Sequence, residues 1–496
     1  MCASIHKSFV YILCRAIILH ERFCAFRVLD CEAQRILDFF GLMPKELFGT
    51  DGIRGIPGKY PLDDATLFRA GVALGEYLAG HREANRHLRV LIGMDTRESG
   101  TEMAARIAQG LRAGGAEPVF AGILTTPGVA YLVRLEDFSA GVVISASHNP
   151  YHDNGVKLIS SRGMKFPDEA EAQIETRILA AQDQKSPVPE AKLEKVPAAT
   201  AIHEDYLAAL RTKLFGKKDL HGMKMVLDCA NGAASALAPE LFRSLGADVI
   251  AIHNDPDGRN INADCGSLHP KKMQEKTVAT GADLGVAFDG DADRAVFSTA
   301  SGRYVDGDGV LFVCARYMKK SGALKGDAVV GTSMANLGLE RALGREALRL
   351  VRVPVGDRYV LEEMIRSGAN LGGEQSGHII FLDDSSAGDG MLTAVKMASL
   401  VSIEGKLDRL VSDLKIFPQK IVNVRVRSKP LLDSFPAVSA AIAEAEKSLG
   451  DSGRIVVRYS GTEPLARVMV EAERAQDVER YSDSIASAIK SAIGSN

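Results

Sequence analysis

Ser145-Ala146-Ser147-His148-Asn149-Pro150 places two hydroxyls, an imidazole and an amide directly after the apolar run Ala140-Gly141-Val142-Val143-Ile144. An apolar run that stops so abruptly reads as a buried strand delivering polar groups to the rim of a sheet, where open α/β proteins build their sites. A second run, Leu284-Gly285-Val286-Ala287-Phe288, leads into Asp289-Gly290-Asp291-Ala292-Asp293-Arg294. Three carboxylates at alternate positions around a glycine can converge on one hard cation. With no His or Cys among them, Mg²⁺ is favoured over zinc. A calcium loop would need a Glu at its twelfth position, which counted from Asp289 is Ala300.

A third stretch, Arg458-Tyr459-Ser460-Gly461-Thr462-Glu463-Pro464 with Arg467 close behind, has the makings of an anion cradle. Backbone N–H groups around Gly461, the hydroxyls of Ser460 and Thr462, and two guanidinium groups can wrap phosphate oxygens without a metal. In Gly373-Glu374-Gln375-Ser376-Gly377-His378 the carboxylate, amide and hydroxyl suit a polyhydroxylated ligand, and His378 offers an acid or base. Arg54, in Gly49-Thr50-Asp51-Gly52-Ile53-Arg54, and Lys157, in Asp153-Asn154-Gly155-Val156-Lys157, add cations that suit a transferring phosphoryl group. Asp306-Gly307-Asp308 lacks a third carboxylate and reads as a turn.

The elements that must position these groups repeat one plan three times. Strand 87–95, helix 101–113 and strand 117–122 form the first copy. Strand 223–228, a helix near 237–245 and strand 247–252 form the second; strand 327–331, a helix near 337–343 and strand 348–353 form the third. The remainder reads as strand 420–426, helix 435–449, strands 453–458 and 467–472, and a closing helix, 475–493. The expected fold is therefore α/β, with three related mixed-sheet domains and a smaller C-terminal α+β domain around a central cleft. The expected divisions are an N-terminal extension at 1–42 and domains at 43–197, 198–297, 298–415 and 416–496, with the Pro- and Lys-rich stretch 185–197 as a linker. The extension is read as lying upstream of a true start at Met43.

At 496 residues with a formal net charge of -3, no Trp and 6% aromatics, the chain has no global pull toward nucleic acid or an anionic membrane. The apolar stretch 9–19 is interrupted by Arg15 and is too short to span a bilayer. Of seven cysteines, Cys2, Cys14, Cys24 and Cys31 crowd into the first 31 residues, and the others, Cys229, Cys265 and Cys314, lack the paired spacing of zinc sites or a disulfide framework, which points to a reducing cytoplasm.

These loops, in this order, resemble those of the α-D-phosphohexomutase superfamily, and within it the bacterial phosphoglucosamine mutases, over nearly everything from Met43 onward. The resemblance implies an isomerase-class phosphotransferase that interconverts glucosamine 6-phosphate and glucosamine 1-phosphate, feeding UDP-N-acetylglucosamine and cell-wall precursor synthesis. Ser147 would carry the phosphoryl group, and one Mg²⁺ would be held against it by Asp289, Asp291 and Asp293. Glu374 and Ser376 would contact sugar hydroxyls. Arg458, Ser460, Gly461, Thr462 and Arg467 would grip the phosphate that is not reacting. Arg54 and Lys157 match positions beside the transferring phosphate, and His378 would carry a proton. Glucosamine 1,6-bisphosphate or a similar compound would prime the serine, and the family suggests a homodimer. Gln375 and Ala387-Gly388-Asp389-Gly390 select the glucosamine branch.

Two positions depart from the family pattern. Tyr459 replaces a Lys or Pro, with an expected effect on the phosphate grip, and Ala292 replaces a Gly. The alternatives are a phosphomannomutase/phosphoglucomutase with the same machinery, a Mg²⁺ phosphatase with an Asp nucleophile, and a non-catalytic sugar-phosphate binder. A serine-hydrolase reading fails because no Gly-x-Ser-x-Gly elbow surrounds either serine and neighbouring residues at a strand end should point apart. Ser147→Ala is expected to abolish turnover and Ser145→Ala to leave much of it.

Overall fold

The computed structural model describes residues 46–49, 51–81, 87–183, 198–216, 219–460 and 464–495. The extension 1–42, the linker 185–197 and the phosphate-loop residues Gly461 and Thr462 lie outside them. From Leu47 onward the chain forms one compact unit.

Within that unit the expected repeat takes a definite topology. In the first sheet the strands run, in spatial order, Phe48–Gly49, Gly52–Gly55, Asn154–Ser160, Ala140–Ile144, Arg89–Met94 and Glu117–Ile123. Arg89–Met94 is flanked by two parallel neighbours, and Asn154–Ser160 returns antiparallel beside Ala140–Ile144. The second sheet repeats this around Lys224–Asp228, with Asp248–Ile252 and Leu284–Phe288 parallel to it and Ala295–Thr299 antiparallel beyond. The third does so around Ala328–Thr332, with Arg349–Val353, Leu371–Gly373 and the antiparallel Ile379–Phe381. Ala140–Ile144, Leu284–Phe288 and Ala328–Thr332 are buried along their whole length, which is why they read as unbroken apolar runs rather than alternating ones.

This topology explains where the chemistry sits. In each domain the third strand leaves the C-terminal edge of the sheet and turns back into an antiparallel fourth strand. The three connecting turns are residues 145–153, 289–294 and 374–378, so the serine, aspartate and glutamate–histidine loops are equivalent positions of one repeated unit. The C-terminal domain is an antiparallel sheet, Gln419–Arg425, Leu465–Ala472 and Gly453–Tyr459, covered by helices Pro436–Leu449 and Ala475–Ile493.

A single apolar cluster threads the first three domains, from Leu91 and Val129 through Phe288 and Phe312 to Met391 and Leu400. The C-terminal domain has its own core around Val424, Val468, Val470 and Ile485. It docks on the third domain through Arg454, which pairs with buried Glu471 at 2.9 Å and donates to the carbonyls of Ser333 and Ala335.

Two expectations change. The joint near 297 falls inside Ala295–Thr299, and Tyr304–Val305 still pairs in the second sheet, so we place the joint after Val305. Asp306 is not a simple turn residue: its side chain accepts from Gly309 N–H at 3.1 Å and caps the helix Gly307–Lys320. Among the described residues no helix is long and apolar enough to cross a membrane.

Candidate active site

Ser147 lies beyond the end of its strand with φ at 50°, a left-handed conformation that strand alternation does not govern. Its Oγ donates to Asp289 Oδ2 at 2.7 Å and lies 3.3 Å from His148 Nδ1. The expectation that Ser147 and His148 point apart is thus overturned, although the shorter bond directs the hydroxyl to the carboxylates. Ser145 Oγ accepts from Ser147 N–H at 2.9 Å and donates to Asp95 Oδ2 at 2.6 Å, so Ser145 shapes the loop. Ser145→Ala leaves a buried N–H without its acceptor, a cost of about 1–3 kcal/mol. Ser145→Ala is therefore expected to keep less turnover than the sequence alone implies, with kcat falling roughly tenfold and the melting temperature dropping but some turnover remaining; melting curves and initial rates on the same preparation check this.

Sequence reasoning missed what holds the loop. Arg97, fully buried, uses all five of its N–H donors. Nε donates to Asp95 at 2.9 Å, one terminal nitrogen to the carbonyls of Asp153 (2.9 Å) and Pro150, and the other to those of Ser147 (3.0 Å) and Asn149 (2.8 Å). From the second domain, Asn262 Nδ2 donates to the same Ser147 and Asn149 carbonyls at 2.8 and 3.1 Å. The available signal was Asp95-Thr96-Arg97, a polar run at the end of the central strand.

Opposite the serine, Gly290 lets the aspartate loop approach: a Cβ there would sit 2.5 Å from the Ser147 carbonyl oxygen. Ala292 adopts φ 56°, the conformation that a glycine takes without strain. The carboxylates of Asp289, Asp291 and Asp293 each offer an oxygen within 4.8 Å of the others. Burial and then the neighbouring Asp293 and Asp291 push Asp289 well above the usual carboxylate range. Asp291 Oδ1 and Asp293 Oδ1 are buried without a hydrogen-bond partner. Mutual repulsion, orphaned oxygens and an all-oxygen donor set fit a hard divalent cation.

A cation network joins these loops. Lys157, 2% exposed, reaches Asp291 Oδ2 at 2.9 Å and Asp51 Oδ2 at 3.1 Å. Asp51 also pairs with Arg54 and, at 2.7 Å, with Lys165, which continues to Asp357 at 2.8 Å. Although burial opposes ionisation, Lys157, Lys165 and Arg54 hold Asp51 well below the usual carboxylate range. Thr126 Oγ1 donates to Asp291 Oδ2 at 2.6 Å. Thr126, Asp51, Lys165 and Asp357 were not singled out from the sequence.

His378 Nδ1 lies 3.5 Å from Asp293 Oδ2. Against its burial, Asp293, Asp357 and Glu374 push the imidazole up to about 9. Ser376 Oγ donates to Glu374 Oε2 at 3.3 Å, and Glu374 Oε1 accepts from Gly356 N–H at 3.2 Å. A cavity of about 240 Å³ opens beside His378, lined by Lys157, Lys165, Asp293 and Asp357 on one side and by Ile159, Phe166, Leu361 and Ile365 on the other.

Arg458 and Arg467 face each other across neighbouring antiparallel strands, and burial and then Arg467 lower the Arg458 guanidinium. Two cations so placed suit an anion. Ser460 is buried beside them and its carbonyl accepts from Lys429 at 2.6 Å. Tyr459, next along the strand, belongs to the opposite face, where it packs on the domain core and donates to the Pro430 carbonyl at 2.7 Å. Among the described residues, these contacts tie Tyr459 to the domain core on the face away from Arg458 and Arg467. Among the described residues, Arg458 makes no hydrogen bond or ion pair with the serine or aspartate loops, its electrostatic partner being Arg467.

Comparison with known proteins adds four matches to family models, all described as phosphoglucomutase/phosphomannomutase: alpha/beta/alpha domain I at residues 45–185, domain II at 204–302, domain III at 306–417 and the C-terminal domain at 421–488. A phosphoglucosamine mutase of Solibacter usitatus is 51% identical over 455 residues, 91% of this chain and 100% of that protein. One of Koribacter versatilis is 49% identical over 462 residues, covering 91% and 98%. The crystal structure of a phosphoglucomutase/phosphomannomutase family protein from Burkholderia thailandensis superposes with a TM-score of 0.73 at 24% identity, covering 90% of this chain and 98% of that one. The N-acetylphosphoglucosamine mutase of Aspergillus fumigatus, in complex with GlcNAc-6P and magnesium, gives 0.58 at 18%, covering 93% and 99%.

Proposed function

The chain belongs to the phosphoglucomutase/phosphomannomutase family, and from that premise we propose that it interconverts glucosamine 6-phosphate and glucosamine 1-phosphate as an intramolecular phosphotransferase. The observation that carries this reading is the Ser147 hydroxyl, 2.7 Å from Asp289 in a site that also gathers Asp291, Asp293 and Lys157.

Ser147 enters the cycle as a phosphoserine. Its Oγ–P bond breaks as the 1-hydroxyl oxygen of glucosamine 6-phosphate bonds to phosphorus, giving the 1,6-bisphosphate. His378, kept protonated by Asp293, Asp357 and Glu374, gives a proton to the departing Ser147 Oγ and is reprotonated by the proton that the attacking hydroxyl releases. The bisphosphate then turns over, its 6-phosphoryl group returns to Ser147 Oγ, the oxygen left at carbon 6 takes up a proton, and glucosamine 1-phosphate departs. A Mg²⁺ held by Asp289, Asp291, Asp293 and the serine-borne group would neutralise charge on the transferring phosphoryl. Lys157 and Arg54 add fixed positive charge, and Asp51 and Asp291 keep Lys157 protonated. Glu374 and Ser376 take sugar hydroxyls. Arg458, Ser460, Gly461, Thr462 and Arg467 hold the phosphate that is not reacting; because either end of the bisphosphate must fit, charge is recognised there more than sugar shape. A separate core lets the C-terminal domain shift while the intermediate turns. A bisphosphate primes the serine, and free buried Cys229, Cys265 and Cys314 fit a cytoplasmic setting.

Initial rates on glucosamine 6-phosphate, glucose 1-phosphate and mannose 1-phosphate, each with Mg²⁺ and a trace of the matching bisphosphate, test the substrate. We expect kcat/KM to favour the glucosamine compound by at least about tenfold. A preference for mannose 1-phosphate would overturn that assignment while leaving the phosphoserine chemistry in place.

A further inference from the structure

A second group of metal-type ligands lies in the second domain and takes no part in the proposed reaction. Asp228 is the last residue of Lys224–Asp228, His253 follows the neighbouring strand Asp248–Ile252, and Cys265 lies on the loop beyond. Their ligand atoms lie within 4.8 Å of one another. Asp228 and Cys265 are buried, whereas the His253 side chain keeps 21% exposure and thereby a path to solvent. Asp228 Oδ2 and His253 Nδ1 stand 2.9 Å apart in an orientation that makes no hydrogen bond, and neither atom has another hydrogen-bond partner. A buried carboxylate oxygen and ring nitrogen left in this way cost free energy that a cation between them would recover.

We propose that Asp228, His253 and Cys265 form a second metal site for a borderline-soft divalent cation of the zinc type. The donor set is carboxylate, imidazole and thiol, which suits Zn²⁺ or Co²⁺ and not Mg²⁺. Tetrahedral coordination at ordinary bond lengths puts ligand atoms roughly 3.3–3.8 Å apart, so the observed spacing needs only small side-chain adjustments. Coordination displaces the thiol proton to solvent, and water takes the fourth position. The site adjoins the reaction centre. Asn262, which holds the Ser147 carbonyl, donates its own backbone N–H to the Ala230 carbonyl in this corner at 2.9 Å, and Ser267 N–H donates to the Phe288 carbonyl just before the aspartate loop. A bound ion would stiffen both loops.

Co²⁺ is the probe, because thiolate coordination gives it a near-ultraviolet charge-transfer band that all-oxygen coordination lacks. With Mg²⁺ in large excess, the native chain is expected to bind one Co²⁺ with that band. Cys265→Ser should lose it, His253→Ala should bind at least about tenfold more weakly, and Cys229→Ser should keep it. Mg²⁺-dependent turnover without cobalt, retained within about twofold, certifies that each variant folds. Should Cys265→Ser not fold, the affinity of His253→Ala, whose ring is partly exposed, decides the matter. No band in the native chain, a band that survives Cys265→Ser, or an unchanged affinity in His253→Ala overturns the proposal.

Discussion

Ser147→Ala is expected to lower kcat by at least about 10,000-fold, some 5.5 kcal/mol of transition-state stabilisation, while the protein stays folded. The substitution removes the oxygen that accepts and returns the phosphoryl group, and water has no positioned place from which to take over that role. The cost to the fold is confined to the lost bond from Ser147 Oγ to Asp289, about 1–3 kcal/mol. Ser147 N–H keeps its acceptor, Ser145 Oγ, and its carbonyl keeps Arg97 and Asn262. An alanine at φ 50° is no worse placed than the serine it replaces. Steady-state rates and thermal unfolding on one preparation separate the two effects, with turnover gone and the melting temperature within a few degrees of the native value. A variant that keeps a tenth of native turnover would remove Ser147 from the chemistry.

Arg97→Met is the second large effect, and it falls on fold and rate together. The guanidinium is buried and all five donors are committed, four of them to carbonyls of the serine loop. Its removal strands Asp95, a carboxylate that burial already pushes up and that Arg97 and Ser145 pull back. Breaking a buried pair in this way costs about 3–5 kcal/mol. The loosened loop should lower kcat by a further factor of roughly 100, since a misplacement of about an ångström at the reacting oxygen costs that much. Arg97→Lys should recover little, because a single ammonium cannot span Asp95 and four carbonyls. The double variant Asp95→Asn with Arg97→Met separates charge from geometry. It should regain part of the stability lost in Arg97→Met, as no charge remains buried alone, but little of the rate, as the carbonyls still lack their donor.

How much of this was legible in the sequence follows from the physics of each part. Strands buried on both faces leave unbroken apolar runs, so Ala140–Ile144, Leu284–Phe288 and the three repeats could be read directly, as could helices such as Gly100–Ala113 and Ala475–Ile493. Strands of two or three residues, Phe48–Gly49 and Leu371–Gly373 among them, carry no periodicity to detect. The motif loops were visible because each is a polar break after an apolar run. Arg97, Thr126 and Asn262 were not, since their partners lie 50, 165 and 115 positions away and only folding brings them together. The Ser147–His148 contact was misjudged for a related reason: the rule that neighbours point apart holds inside a strand, and Ser147 lies outside one.

The central claim, that Ser147 Oγ carries the phosphoryl group between the two ends of the sugar, has one direct measurement. The protein is mixed with Mg²⁺ and bisphosphate labelled with ³²P at both positions, freed of unbound compound, split into peptides, and in parallel chased with unlabelled glucosamine 6-phosphate. The account predicts an acid-stable label on the peptide containing Ser147, and its transfer on chasing into glucosamine bisphosphate and monophosphate. Label found as an acyl phosphate on Asp289, Asp291 or Asp293, or released as inorganic phosphate, would contradict it.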